Sequence, residues 1–352
     1  MARTPSHDFG GGYQQTLPAE HIGETPLREV REIIHLPEYD NDKSRLDLDP
    51  EIIEVPPGVV QQLHNLVSII ASLYQDNPFH SFQHASHVVM SVTKLMSRIV
   101  APSSADENNT KRVSNAQLVK EGLPIAFKYG QRSVAEQNSL DLSWDLLMKP
   151  EHAQLRTCLF EKEEDLVRFR QLVVNSVMAT DIVDKDLKAL RNGRWEKAFK
   201  NGSVEKALGQ DLESPRDSVN RKATIVIEHI IQASDISHTM QHWHVYRKWN
   251  QNLFEELYAA YLNGRMEKDP VEFWYKGEFG FFDFYIIPLT QKLKDCGVFG
   301  ISSDELLHHA KKNRAEWERQ GEHAVAEMVA ESRRKYGVKS ADPIEVPNPI
   351  EC

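Results

Sequence analysis

The chain has 352 residues, with 42 Lys and Arg against 52 Asp and Glu, and a formal net charge of −10. Hydrophobic residues make up 40% of it, which excludes an intrinsically disordered chain. The acidic balance excludes a nucleic-acid partner, because phosphate backbones are bound by concentrated Lys and Arg. The sequence has three scattered cysteines, no signal-peptide core and no apolar run approaching about 20 residues. We therefore expect a soluble cytoplasmic protein without a membrane segment.

Helical periodicity runs through the chain from about residue 26 to residue 335. Apolar residues recur with the spacing of one buried helix face over 63–73, 79–100, 133–148, 161–181, 223–237 and 243–262. The aromatic segment FFDFYIIPL (281–289) fits either a helix or a strand, and alternating strand patterns are scarce elsewhere. The sequence therefore predicts an all-α fold.

Polar segments flank and interrupt this pattern. Residues 1–25 and 336–352 are predicted to be disordered tails, and residues 101–114 a solvated linker. The folded domain is expected to span residues 26–335. No sequence pattern fixes its assembly, and a homodimer is one option.

Three histidines lie close together in the segment NPFHSFQHASHV. His80, His84 and His87 follow one another at intervals of four and three, which places them on one side of a helix. Imidazoles on adjacent turns can converge on one metal ion. The alternative is a partly exposed helix face that happens to be rich in histidine. Ser81 excludes the zincin metalloproteases, which carry Glu directly after the first histidine.

Two carboxylates fall beside apolar helix faces. Asp235 follows Ile231 by four residues, and Asp181 follows Val177 by four. A carboxylate in such a position is stable only if it is paired, hydrogen-bonded or bound to a metal. Each aspartate alone is also typical of a helix end, so the metal and capping interpretations both stay open.

Five segments occur together in order: FHSFQHASHV, ATDIVDKD, QASDIS, VYRKW and KGEFGFFDFYIIPL. In order and approximate spacing they resemble the catalytic domain of class I 3′,5′-cyclic-nucleotide phosphodiesterases, which belongs to the His-Asp metallohydrolases. The resemblance implies a compact multi-helix domain that hydrolyses cAMP, cGMP or both to 5′-nucleoside monophosphates in signal transduction. It also implies two divalent metals as cofactors, zinc with magnesium or manganese, which activate a hydroxide for attack on phosphorus.

The resemblance also assigns catalytic roles. His80 is expected to be the general acid that protonates the departing 3′ oxygen, and His84 and Asp235 to bind the tightly held metal. Glu136 and Asp181 are expected to support the metal site without binding the ion. The cyclic nucleotide is expected to contact four further residues: Glu278 in the place of a base-reading glutamine, Phe281 as a stacking clamp, Tyr246 and His238.

One element implied by the resemblance is missing. Family members carry a His-Asp pair on a helix after the first motif, but the stretch 101–112 holds no histidine and only two acidic residues, Asp106 and Glu107. With two of four expected ligands gone, we expect weak metal occupancy and little turnover. Either a coding segment has been dropped, which the intact flanking motifs favour, or the chain is a degenerate homologue that binds or regulates without hydrolysing.

Glu278 is a smaller departure from the family pattern. An ionised carboxylate only accepts hydrogen bonds, which suits the N1–H and N2–H donors of guanine and repels the N1 acceptor of adenine. We hypothesise a preference for cGMP over cAMP, whereas a protonated Glu278 would imitate glutamine.

Overall fold

The computed structural model describes residues 25–37, 55–99, 119–200, 214–299 and 304–338. Every regular element in these residues is helical, which confirms the all-α prediction. The α-helices, in chain order, are α1 (Pro57–Leu73), α2 (Phe82–Met96), α3 (Pro124–Lys128), α4 (Val134–Leu147), α5 (Ala153–Leu159), α6 (Glu163–Ala179), α7 (Lys185–Trp195), α8 (Pro215–Asp235), α9 (Trp243–Leu262), α10 (Pro270–Phe281), α11 (Ile287–Asp295) and α12 (Glu305–Lys335). Short 3-10 turns cover Pro26–Glu29, Pro150–His152 and Ser237–Met240, and π turns cover Glu196–Lys200 and Phe282–Ile286.

Proline and a capping side chain fix the start of two long helices that carry site residues. Ser214 accepts a hydrogen bond from the backbone of α8, and Pro215 occupies the first turn. Asp269 and Pro270 do the same for α10. Proline is tolerated in the first turn because the N–H that it lacks would have no partner inside the helix.

Helix α2 begins later than the sequence predicts. The apolar spacing predicts a helix over 79–100, but α2 spans Phe82–Met96 and Ser81 is its N-cap, accepting from the N–H of His84 at 3.4 Å. His80 lies before this cap, in an irregular turn. The prediction that His80 shares one helix with the other two histidines is therefore wrong, because the serine that follows His80 caps the helix.

The aromatic segment 281–289 is helical and not a strand. Helix α10 ends at Phe281, a π turn covers Phe282–Ile286, and α11 continues from Ile287. Pro288 has no N–H to donate to the carbonyl four residues earlier, so the regular α pattern cannot run through this point.

One large apolar cluster joins α2, α8, α9, α10, α11 and α12. Trp317, Tyr246, Phe254 and Phe282 are among its fully buried side chains. Burial of each such side chain contributes roughly 1.5–3 kcal/mol, so the cluster holds these helices in fixed positions. Helix α8 packs directly on α2 and thereby brings the histidine-rich helix beside the end of α8.

Residues 25–36 form an N-terminal strap that crosses α4, α6 and α8. Its backbone N–H groups donate to buried side-chain oxygens on those helices. The four bonds are Leu27 to Gln137 (3.2 Å), Arg31 to Asn175 (3.0 Å), Ile34 to Thr224 (3.0 Å) and Leu36 to Asn220 (3.2 Å). Beyond its single 3-10 turn the strap has no regular structure, and it can lie against the core because its backbone donors are satisfied in this way.

Among the helices of the described residues, none has the length and apolar character that a bilayer span requires. The predicted linker at 101–114 lies outside the described residues. So do the predicted tails, apart from residue 25 and residues 336–338.

Among the residues that bind the strap, Asn175 is the one whose truncation should lower the free energy of unfolding most. Its Oδ1 accepts from the N–H of Arg31, and its Nδ2 donates to the carbonyl of Arg31 at 2.7 Å and to Oε1 of Glu228 at 2.8 Å. Glu228 is buried, and it keeps its ion pair with Arg194 but loses this amide donor if Asn175 is truncated. We expect Asn175→Ala to lower the free energy of unfolding by about 2–4 kcal/mol in urea denaturation.

Asn65→Ala is the matched control. It removes one exposed hydrogen bond from Gln61, so the expected change is below about 0.5 kcal/mol. Equal stability of the two variants would contradict the role given to the strap.

Candidate active site

His80 is held by a carboxylate that the sequence did not single out. Glu256 of α9 accepts from the backbone N–H of Phe79 at 3.0 Å and of His80 at 2.9 Å, and its Oε1 lies 2.5 Å from Nδ1 of His80. Burial favours a higher pKa for Glu256, but these hydrogen bonds outweigh it and lower the pKa below its ordinary value. Glu256 is therefore ionised at neutral pH and fixes both the turn and the imidazole.

The structure brings His84 and Asp235 together. Nε2 of His84 lies 3.3 Å from Oδ1 of Asp235, joining α2 to the last residue of α8. The His84 ring is buried against Phe79, with ring centroids 4.5 Å apart, and against Trp249 at 5.4 Å. The two residues that the resemblance assigns to one metal are thus in direct contact.

His87 and His238 pack around the same tryptophan. His87 stacks on Trp249 at 5.4 Å, and its Nε2 lies 3.1 Å from Nε2 of Gln241. The ring centroids of His238 and Trp249 lie 6.1 Å apart. Burial, together with the neighbouring His84, lowers the pKa of His238 to about 3. His238 is therefore neutral and is a buried neighbour of the His84 ring.

Asp181 lies just after the end of α6, in the turn that leads to α7. Its Oδ1 accepts from the N–H groups of Val183 and Asp184 at 3.0 and 3.1 Å, and its Oδ2 accepts from the hydroxyl of Ser133 at 2.8 Å. These contacts hold the turn between α6 and α7, whereas the helix caps on either side of it are Thr180 and Asp184. Ser133 immediately precedes α4, whose first turn carries the buried Glu136, so Asp181 joins the start of α4 to the end of α6.

Glu278 and Tyr246 form a second buried pair, between α10 and α9. The hydroxyl of Tyr246 donates to Oε2 of Glu278 at 2.6 Å. Burial raises the pKa of Glu278 to about 7, against the opposing effect of hydrogen bonds from Tyr246 and Asn250. Phe281 follows one turn later and stacks on Tyr285, with ring centroids 5.5 Å apart. Both forms of Glu278 that the sequence left open, the carboxylate and the carboxylic acid, are therefore relevant near neutral pH.

Helix α9 contributes residues both to the histidine cluster around His80 and His84 and to the pair of Glu278 and Tyr246. Tyr246 and Asn250 contact Glu278, Trp249 packs on three histidine rings, and Glu256 binds His80. The sequence analysis missed Trp249, Asn250 and Glu256. One signal was available: Glu256 follows Trp249 by seven residues, so both fall on the same helix face.

The described residues do not fit a resident divalent metal. Within the described ranges, no group of three or more His, Cys, Asp or Glu side chains could hold a metal ion. His84 and Asp235 supply two donors, whereas tight sites use three or four. A ligating histidine also usually donates its second ring N–H to a fixed partner, but Nδ1 of His84 is buried and has no hydrogen-bond partner among the described residues. The two-metal site implied by the resemblance needs ligands that these residues do not supply.

Comparison with known proteins gives a consistent family match. The sequence model of the 3′5′-cyclic nucleotide phosphodiesterase family matches residues 109–300. The chain is 24% identical over 257 residues to "Probable 3′,5′-cyclic phosphodiesterase pde-3" of Caenorhabditis elegans, covering 69% of this chain and 35% of that protein. It is 25% identical over 197 residues to the mouse "Dual specificity calcium/calmodulin-dependent 3′,5′-cyclic nucleotide phosphodiesterase 1C", covering 52% of this chain and 25% of that protein. The chain therefore spans a quarter to about a third of the length of these relatives.

The fold is also similar to solved structures. The phosphodiesterase domain of the RhoPDE fusion protein from the choanoflagellate Salpingoeca rosetta superposes with a TM-score of 0.58 at 19% identity, covering 85% of this chain and 96% of that one. At this identity the likeness supports the fold alone.

The small number of metal-binding side chains leads to a prediction about zinc addition and removal. Because His84 and Asp235 supply only two donors, two equivalents of zinc followed by excess EDTA should change the melting temperature by no more than about 1 °C in differential scanning calorimetry. Zinc stabilisation of several degrees that disappears in Asp235→Asn would show that a resident site exists.

Proposed function

The chain belongs to the 3′,5′-cyclic nucleotide phosphodiesterase family, and we propose that its substrate is a cyclic nucleotide whose phosphodiester is opened to a 5′-nucleoside monophosphate. The observation that carries this proposal is the pair formed by His80 and Glu256. It places an imidazole beside the His84 and Asp235 contact and leaves its Nε2 directed away from the anchoring carboxylate.

The proposed role of His80 is proton donation to the leaving group. A water oxygen forms the new bond to phosphorus and releases one proton to solvent. The P–O3′ bond breaks at the same time, and its electron pair remains on the 3′ oxygen. This oxygen needs a proton, which Nε2 of His80 supplies. Glu256 accepts from Nδ1–H and stabilises the imidazolium that carries both protons, as an orienting carboxylate does in other acid–base pairs.

Glu278, Phe281 and Tyr246 are proposed to receive the nucleotide base. Phe281 and Tyr285 offer aromatic faces for stacking, and Glu278 offers an oxygen edge for hydrogen bonds. His84 and Asp235 would lie on the phosphate side, with Glu136 and Asp181 supporting that end through the α4 and α6 junction.

A second function is favoured by the incomplete donor set. We propose that a chain with this sequence binds the cyclic nucleotide but hydrolyses it slowly, because His84 and Asp235 contact each other and no third donor joins them in the described ranges. A coding segment lost between residues 98 and 116 would explain the deficit. Sequencing the transcript across these codons tests this explanation directly, since an inserted His-Asp segment would restore the missing donors.

Nucleotide binding can be measured independently of turnover. We expect cAMP or cGMP to bind in isothermal titration calorimetry, and Phe281→Ala to weaken binding about tenfold or more, because stacking on an aromatic ring is lost. Phe284→Ala is the control, since that ring lies on the following π turn and is 80% exposed. Absence of binding by either nucleotide would refute the proposed substrate class.

A hydrolysis assay distinguishes the enzymatic function from the binding function. In excess Mg²⁺ and Mn²⁺ we expect turnover at least about 100-fold below the usual enzyme range of roughly 1–1,000 s⁻¹, measured as release of 5′-monophosphate. Any residual rate should fall in His80→Gln, which cannot donate as an acid. Turnover within the ordinary range would show that the donor set is complete in solution and would exclude the binding-only function.

A further inference from the structure

The Glu278 carboxyl is buried without a countercharge. Its side chain is 8% exposed, and no Lys, Arg or His of the described ranges forms an ion pair with it. Its two hydrogen-bonding neighbours, Tyr246 and Asn250, are neutral. A carboxyl in such surroundings is stabilised in its protonated form relative to water, because burial penalises the charge and nothing compensates it fully.

The orientation of Asn250 is fixed by Trp274. The indole Nε1–H can only donate, and it donates to Oδ1 of Asn250 at 3.0 Å. The amide of Asn250 therefore has its NH₂ group left for Glu278, to which it donates. Tyr246 donates to Oε2, so both neighbours hold the carboxyl as an acceptor and determine how it is presented.

Two arginines on the elements packed against α10 are engaged elsewhere. Arg314 of α12 binds Asp283 of the π turn and Glu318. On α9, Arg247 pairs with Glu327 of α12. The titratable group that faces Glu278 is thus Tyr246, whose pKa is raised well above its ordinary value by burial and by the neighbouring carboxyl. Tyr246 keeps its proton over the whole range in which Glu278 changes charge.

We propose that Trp274, Asn250 and Tyr246 position the Glu278 carboxyl so that its protonation state selects the base, the carboxylate taking cGMP and the carboxylic acid taking cAMP. This proposal rests on the proposed function, in which Glu278 contacts the base. Trp274 and Asn250 act as positioning residues, since they reach the nucleotide only through Glu278.

The hydrogen-bonding edges of the two bases explain the selection. Guanine presents two adjacent donors, N1–H and N2–H, which match the two acceptor oxygens of a carboxylate. Adenine presents one donor, N6–H, and one acceptor, N1, which match the carbonyl oxygen and the hydroxyl of a carboxylic acid. A matched bidentate pair discriminates between bases by roughly tenfold or more.

The charge of the Glu278 carboxyl determines in which direction pH changes the base preference. Burial raises the pKa of Glu278 to about 7. Below that value the acid form predominates and adenine is favoured, and above it the carboxylate predominates and guanine is favoured. A rise from pH 6 to pH 8 should therefore move the preference from cAMP towards cGMP.

The test is calorimetric titration of the full chain with cAMP and with cGMP at pH 6, 7 and 8. We expect the ratio of the two dissociation constants, cAMP over cGMP, to rise about tenfold or more with pH. In Glu278→Gln the ratio should be constant, because an amide does not titrate. Trp274→Phe, which frees the Asn250 amide to turn its oxygen towards Glu278, should move the midpoint to higher pH.

A second measurement follows the carboxyl itself. In protein labelled with ¹³C at the glutamate side-chain carboxyl, the resonance lost in Glu278→Gln should titrate with a midpoint near 7 without nucleotide. A midpoint below 5, or a pH-independent ratio in a chain that binds nucleotide, would overturn this proposal alone. Absence of binding by both nucleotides would overturn the proposed function and this proposal with it.

Discussion

Glu256 joins α9 to the turn that carries His80, and the arrangement of the site depends on this carboxylate. It accepts from two backbone N–H groups and from the imidazole, so the turn and the side chain are fixed together. Ten residues earlier on the same helix, about 15 Å along its axis, Tyr246 binds Glu278. One rigid helix therefore sets the distance between His80, the proposed general acid, and Glu278, the proposed contact of the nucleotide base.

The carboxyl groups held at the two ends of α9 are more fully hydrogen-bonded than the ring of His84, which the resemblance assigns to a metal. Glu256 and Glu278 each accept hydrogen bonds from more than one donor, whereas Nδ1 of His84 has no hydrogen-bond partner in the described residues. The residues that we propose to contact a nucleotide are thus held in place, while the donors for a metal ion are few in the described residues. The same contrast follows from the sequence, which lacks histidine over 101–112.

The helical class could be predicted from periodicity, and the family from five ordered segments. The start of α2 could not, because the apolar spacing extends back to Phe79 and does not reveal that Ser81 caps the helix. Glu256 was missed because its spacing from Trp249 is a weak signal by itself and its contacts with the His80 turn are made across 176 residues. The charge of Glu278 depends on burial between α9 and α10, which the sequence at that position does not reveal.

Our central claim is that nucleotide recognition in this chain is separate from metal binding. It is tested most directly by titrating the full chain with cGMP in the calorimeter, with excess EDTA and without it. The account predicts binding in both conditions, with dissociation constants that agree within about twofold, since Glu278, Phe281 and α9 need no ion. Binding that disappears in EDTA and returns with added zinc would contradict it.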